Sequence, residues 1–321
     1  MTHNKGIHHI TALAGDAQVN VEFYTQILGM RLVKKSVNQD DPGTYHLFYG
    51  NQSASPGSSL TFFPWPNVVK GKPGTGEVVN IGLQAPKEAV EYWESRLNDL
   101  EIPYKSTNVF GRKALRFKDP DGLELDIIFE GDAKPAIKEL HYPVPAEFTI
   151  QGFWGARMKL TKKEKVEALI SELFDFKEVG SHENHTLYQT DAPIGHSLII
   201  EIAEEEYGKT GRGIVHHIAF RTENKKELSS LKERVIEKGL HPTDIIDRHW
   251  FNSVYYRIPE GVLFEMASDD PGYTVDEAFE RLGESLILPP WMEPKREQIE
   301  QILPKIKPGV SSGKTDKIYA E

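Results

Sequence analysis

The chain has 321 residues, 39% hydrophobic and 27% charged, with a formal net charge of −10. That is a globular mixture, long enough for two domains of ordinary size. The acidic balance without a basic stripe argues against a nucleic-acid partner. The absence of cysteine excludes disulfides, thiolate catalysis and Cys-held zinc or iron–sulfur clusters. No apolar run approaches the length of a bilayer span. Met1 to Gly6 is polar, without the apolar core of a signal peptide, so a cytoplasmic location is expected.

A strand, a helix and three further strands recur four times along the chain. In the first module Asp16 caps a helix over 16–28, with Val19, Phe23 and Ile27 on one face and Gly29 as its stop. Strands are expected at 31–37, 44–49 and 59–63. In the second, a helix starts near Pro86, and Val90, Trp93, Leu97 and Leu100 form its stripe. Strands follow at 104–109, 114–117 and 124–129. The third helix starts at Thr161, with Glu164 at capping-box spacing and Val166, Leu169, Ile170 and Leu173 facing inward. Its strands are 176–179, 186–189 and 197–202. The fourth has Asn224 and Glu227 at the same spacing, an apolar face of Leu228, Leu231 and Val235, and Gly239 as terminator. Strands at 243–247, 253–258 and 262–267 complete it. Two final strands follow similar turns, Asp119-Pro120-Asp121-Gly122 and Pro259-Glu260-Gly261, and each places an acid four residues after the glycine, Asp126 and Glu265.

The fold class expected is therefore α+β, with four βαβββ modules in two pseudo-symmetric halves. Residues 1–131 form the first two-module domain, 132–150 a linker rich in Pro and charge, and 151–268 the second domain. Residues 269–321 form an extension with helices expected over 275–282 and 295–303, and its last residues, including Ser311 to Lys314, read as frayed.

The chemistry concentrates at three positions. His8-His9 opens the first module and His216-His217 the fourth, and Glu265 lies in the last strand of the fourth. Strands alternate faces, so one histidine of each pair points into a given cavity. His216 shares a face with Ile214, Ile218 and Phe220, which suits packing under a helix, whereas His217 shares one with Ala219 and Arg221. The repeat makes the same choice for His9. The first-strand positions then read His9, Asn80, Gly155 and His217, and the last-strand positions roughly Phe62, Asp126, Glu201 and Glu265. Pairing the outer modules collects His9, His217 and Glu265, a two-imidazole, one-carboxylate set that suits a divalent metal with open positions. Pairing the inner modules collects no imidazole, so one cavity is expected to be active and the other structural. A lone histidine is more often a satisfied core residue, but paired doublets at equivalent strand positions point to ligands.

These segments resemble the vicinal-oxygen-chelate superfamily of glyoxalases, bleomycin-resistance proteins and extradiol ring-cleaving dioxygenases. The likeness runs from about residue 7 to 268. It is carried by His8-His9-Ile10-Thr11, by Phe23-Tyr24 through Leu28-Gly29-Met30, by Asp119-Pro120-Asp121-Gly122 and by His217-Ile218-Ala219-Phe220. The tail resembles that of bacterial ring-cleaving dioxygenases linked to hydroquinone and quinone stress. The resemblance implies Fe(II)-dependent insertion of O2 into a hydroquinone or catechol, with Mn(II) as the alternative ion and homo-oligomers allowed. It implies ligand roles for His9, His217 and Glu265. It also implies acid–base or hydrogen-bonding roles for Tyr255, which precedes Glu265 by the family's ten residues, for His249 nearby, and for His46 in place of a family histidine absent near Ser58. Two rivals stay open: a glyoxalase-like isomerase or lyase, which would want a second carboxylate where Phe62 or Thr61 stands, and a non-catalytic aromatic-binding resistance protein.

Overall fold

The computed structural model describes residues 6–134, 137 and 143–307; Ser311 to Lys314 lie outside them. Alternating burial and helical stripes produce the four expected modules. The first holds β1 (Ile7–Ala14), α1 (Ala17–Glu22), β2 (Arg31–Asn38), β3 (Asp41–Gly50) and β4 (Ser59–Pro64). The second holds β5 (Glu77–Ala85), α2 (Val90–Asp99), β6 (Tyr104–Val109), β7 (Arg112–Lys118) and β8 (Glu124–Phe129). The third holds β9 (Gly152–Leu160), α3 (Glu164–Phe174), β10 (Lys177–His182), β11 (His185–Gln189) and β12 (Ser197–Ile202). The fourth holds β13 (Val215–Thr222), α4 (Lys225–Glu237), β14 (Ile246–Asp247), β15 (Phe251–Arg257) and β16 (Leu263–Pro271).

The strands form two curled eight-stranded sheets in an α+β fold. One runs β14-β15-β16-β13-β1-β4-β3-β2, the other β10-β11-β12-β9-β5-β8-β7-β6. The first and fourth modules thus share the outer sheet, joined by the antiparallel pair β1–β13, and the inner modules share the other through β5–β9. The helices cover the convex faces and bury their stripes in one extended core, including Trp93, Leu97, Val166, Ile170, Leu228 and Val235. Among the described residues no helix is long and apolar enough to cross a membrane.

Three local expectations need correction. The first helix does not stay α-helical to residue 28. Asp16 caps it through Val19 N–H, but Phe23–Ile27 widens into a π-helical turn, and Leu28 N–H bonds Phe23 C=O. The wider turn lets two adjacent aromatics, Phe23 and Tyr24, both reach the core fully buried. The capping box at Thr161 does not form. Its amide and hydroxyl donate to Glu260, which comes from the turn before β16, and α3 starts at Glu164 with no side-chain cap. Asn224 does cap α4, accepting from Lys226 and Glu227 amides, while Glu227 accepts from Glu223 N–H.

The third correction concerns the C-terminal extension. The helix expected over 275–282 is replaced by two single turns, Tyr273–Val275 and Phe279–Arg281. Tertiary contacts take the groups a helix would use. Lys34 Nζ meets both Asp276 and Glu277, and Arg31 donates to Phe279 C=O. The segment lies along β2, with Leu286 bridging Lys35, before α5 (Arg296–Ile302).

Candidate metal centre

Strand register brings the three chemical positions together. Antiparallel pairing sets Thr11 opposite His217 and His9 opposite Ala219, and parallel pairing sets Ala219 beside Glu265. His9, His217 and Glu265 are at most 4% exposed. Glu265 Oε2 lies 3.1 Å from His9 Nε2 and 2.9 Å from His217 Nε2, and the two nitrogens are 3.2 Å apart.

The surroundings orient these three atoms. His8 Nδ1 stands 2.8 Å from His9 Nδ1, and His216 Nδ1 stands 2.8 Å from His217 Nδ1. His8 is hydrogen-bonded to the Ser268 backbone, and burial, reinforced by His9, keeps its pKa well below 6.5. A neutral His8 that donates from Nε2 to the Ser268 carbonyl accepts at Nδ1, so His9 donates from Nδ1 and its Nε2 carries a lone pair. Ser253 Oγ donates to Glu265 Oε1 and leaves Oε2 facing the imidazoles. Burial pushes the Glu265 carboxyl up, but His9 and His217 outweigh it and hold the group well below its ordinary value.

With both imidazoles neutral and unprotonated at Nε2, three lone-pair atoms converge, and Glu265 Oε2 is buried without a hydrogen-bond donor. Such convergence is unfavourable unless a cation fills it. The dimensions fit one. Donors at right angles, each about 2.1 Å from a common ion, lie about 3.0 Å apart, which matches the observed 2.9 to 3.2 Å. That is one face of an octahedron, with three positions left open.

His9 and His217 line a cavity of about 390 Å³, with Glu265 buried behind them, walled by Phe48, Phe63, Trp65, Trp250 and Phe251 and edged by Arg248, Tyr255 and His46. The Tyr255 ring stands edge-on to His217 at 5.7 Å, and the Arg248 guanidinium lies 5.4 Å from that ring. Burial, then Glu265, pushes the Tyr255 hydroxyl up, so it stays protonated at neutral pH. His46 Nε2 bonds Thr61 Oγ1 at 2.9 Å, and burial, reinforced by His9, His217 and Arg248, holds its pKa well below 6.5.

The register also settles the last-strand positions. Parallel pairing matches Thr11 with Thr61, as it matches Ala219 with Glu265. Thr61, not Phe62, occupies the place a second carboxylate would need. Phe62 belongs to the core against Tyr24 and Tyr49. In the third module the same rule pairs Arg157 with Ile199, so Ile199 and not Glu201 is the counterpart.

A sequence profile of the Glyoxalase/Bleomycin resistance protein/Dioxygenase superfamily matches residues 6–127 and 158–275. The chain belongs to this superfamily. Over 296 residues it is 38% identical to the Putative ring-cleaving dioxygenase MhqO of Bacillus subtilis, covering 92% of this chain and 95% of that one. It is 33% identical over 307 residues to the chlorohydroquinone/hydroquinone 1,2-dioxygenase of Sphingobium indicum, covering 92% and 94%. A crystal structure of a putative dioxygenase from Bacillus subtilis superposes with a TM-score of 0.91 at 36% identity, covering 96% of this chain and 99% of that one. Glyoxalase I of Zea mays, at 14% identity and TM-score 0.60 over 82% of this chain and 92% of its own, shares the superfamily fold.

Within this superfamily member the structure separates the expected site residues. It brings His9, His217, Tyr255 and His46 to one cavity, with Glu265 clustered against the two ligand-like histidines. It does not bring His249 there: the imidazole bonds Asp276 in the C-terminal extension at 2.9 Å, and its neighbours Arg248 and Trp250 face the cavity instead. Sequence reasoning missed Arg248, Trp250 and Ser253, and passed over His8 and His216 as partners of the ligands. Ser253 was within reach, since it lies two residues before Tyr255 on the same strand face.

Proposed function

We propose that the chain is an Fe(II)-dependent, extradiol-type ring-cleaving dioxygenase acting on a hydroquinone or catechol. The observation that carries this reading is the face of three lone-pair donors, His9, His217 and Glu265, at the edge of an aromatic-walled cavity. The Sphingobium relative's name favours the hydroquinone class. A ferrous ion held by the three donors would supply Lewis acidity and one-electron chemistry to join a diol with O2, and Mn(II) suits the same donors.

The chain's own residues have distinct tasks. Phe48, Phe63, Trp250 and Phe251 offer faces and edges to an aromatic ring and exclude water. Arg248 brings a permanent positive charge to the wall, which favours a diol bound as its phenolate. Tyr255, kept protonated, donates a hydrogen bond to a substrate oxygen. His46, kept neutral and bonded to Thr61, offers a polar edge to the cavity. Both atoms of O2 enter the product as one ring carbon–carbon bond breaks, so no external reductant is required.

Thr61 disfavours a glyoxalase-like lyase, because a hydroxyl bonded to Thr11 and His46 stands where a fourth ligand would be. The test is O2 uptake by protein loaded anaerobically with Fe(II), using a panel of hydroquinones and catechols. Uptake of one O2 per diol is expected. Stoichiometric iron without uptake for any diol would overturn the reading.

A further inference from the structure

The turn joining β14 to β15 presents Arg248 and Trp250 to the cavity, and it is held in an unfavourable conformation. His249, between them, has φ of +74°. A side-chain-bearing residue adopts that region only where its surroundings enforce it. Asp247 accepts from the His249 amide at 2.7 Å, Gln39 donates to the Arg248 carbonyl at 3.0 Å, Arg248 pairs with Asp40 at 3.0 Å, and a further restraint on His249 and Trp250 is one carboxylate from outside the repeat.

That carboxylate is Asp276. Its Oδ2 accepts from His249 Nε2 at 2.9 Å and from Trp250 Nε1 at 2.8 Å, while Oδ1 meets Lys34 Nζ at 2.5 Å. Lys34 has no exposed surface, also meets Glu277, and places its ammonium 5.6 Å from the Trp250 ring. The contact continues inward: Trp250 meets Phe48 edge-on at 5.7 Å, and Phe48 packs on His46 at 3.9 Å. One carboxylate thus grips the two residues that follow Arg248, and a buried lysine fixes that carboxylate to β2.

We propose that Asp276 is a positioning residue of the cavity, clamping the turn that carries Arg248 and Trp250 so that both are preset for an anionic aromatic diol; the proposal rests on the function inferred above. Asp276 touches neither the three donors nor the space for the diol, so it acts through its neighbours. The C-terminal extension is then part of the binding site, and His249 serves as an anchor rather than an acid or base.

The test uses the full chain loaded anaerobically with Fe(II), in wild type, Asp276→Asn and Asp276→Ala. Iron content, thermal midpoint, KM and kcat are measured, together with anaerobic binding of 4-nitrocatechol read by its visible absorption. Full iron content is expected in every form, with about tenfold weaker 4-nitrocatechol binding and a matching rise in KM in Asp276→Ala. kcat should change less. Adding Asp276→Ala to Arg248→Ala should cost less affinity than Asp276→Ala costs in the wild type, because part of its effect passes through Arg248 and the rest through Trp250. If Asp276→Ala does not fold, Asp276→Asn decides the matter. Unchanged binding and KM with only a lowered thermal midpoint would overturn the clamp, as would additive losses in the double variant. A wild type that binds 4-nitrocatechol without consuming O2 would sink the proposed reaction while binding still judges the clamp; a wild type that does not bind it overturns both.

Discussion

The outer and inner half-barrels use the same register for opposite purposes. Where the outer sheet has His9 and His217, the inner has Asn80 and Gly155, and Gly82 faces Gly155 as Thr11 faces His217. Where the outer sheet pairs Tyr255 with Glu265, the inner pairs Arg116 with Asp126. Both acids are buried, at 0% and 1% exposure. Asp126 receives two bonds of 2.8 Å from Arg116, and Arg157 ties Glu124 to Glu201 alongside. The inner concavity neutralises its buried acid with a guanidinium from the chain. The outer one places a neutral phenol at the equivalent position and, among the described residues, gives Glu265 only imidazoles as ion-pair partners. A metal ion held by the three donors would supply the missing counter-charge.

This contrast is broken most directly at the donors. His9→Ala, His217→Ala and Glu265→Ala are each expected to abolish metal binding and O2 uptake, whereas Asp126→Ala keeps one metal per chain. Elemental analysis after anaerobic loading decides it, and retention of full metal by any of the three removes that residue from the centre. Removing the inner counter-charge should do the reverse. Arg116→Met leaves Asp126 buried and unpaired, with an expected loss of about 3 kcal/mol in urea unfolding and an unchanged metal stoichiometry. An equally stable variant would show that the inner acid does not depend on its arginine.

Smaller effects sharpen the contrast. Ser253→Ala frees Glu265 Oε1 and should weaken metal affinity about 10- to 100-fold, read by competition with a chelator. A wild-type dissociation constant would deny Ser253 its orienting role. Acid should destabilise the metal-free protein. His46 is held neutral well below pH 6.5 in the fold, chiefly by burial, and protonates near 6.5 when unfolded. The unfolded chain then binds the extra proton, so stability falls as pH drops below about 6.5, by up to about 1.4 kcal/mol per pH unit for this group. The fall should be shallower in His46→Phe, and identical pH profiles would contradict that assignment.

The modules, their pairing and the first-strand positions were legible in the sequence, because doublets, helix stripes and final turns repeat at matched intervals. The last-strand positions were less so. The sequence leaves Phe62 or Thr61 open and points to Glu201 where Ile199 stands, since a slip of one residue changes the face and a slip of two preserves it. Thr161 looked like a helix cap because Glu260, its true partner, is 99 residues away. His249 looked like a cavity residue because its neighbours are; only the left-handed backbone, fixed by Asp276, turns it outward. Arg248 and Trp250 carry no local signal, since their partners, Asp40 for the first and Asp276 for the second, come from distant segments.

The most direct measurement is anomalous diffraction at the iron edge from crystals of the anaerobically Fe(II)-loaded protein. A single peak per chain is expected, about 2.1 Å from His9 Nε2, His217 Nε2 and Glu265 Oε2. A peak among the inner strands, or iron in solution with none between those three atoms, would contradict it.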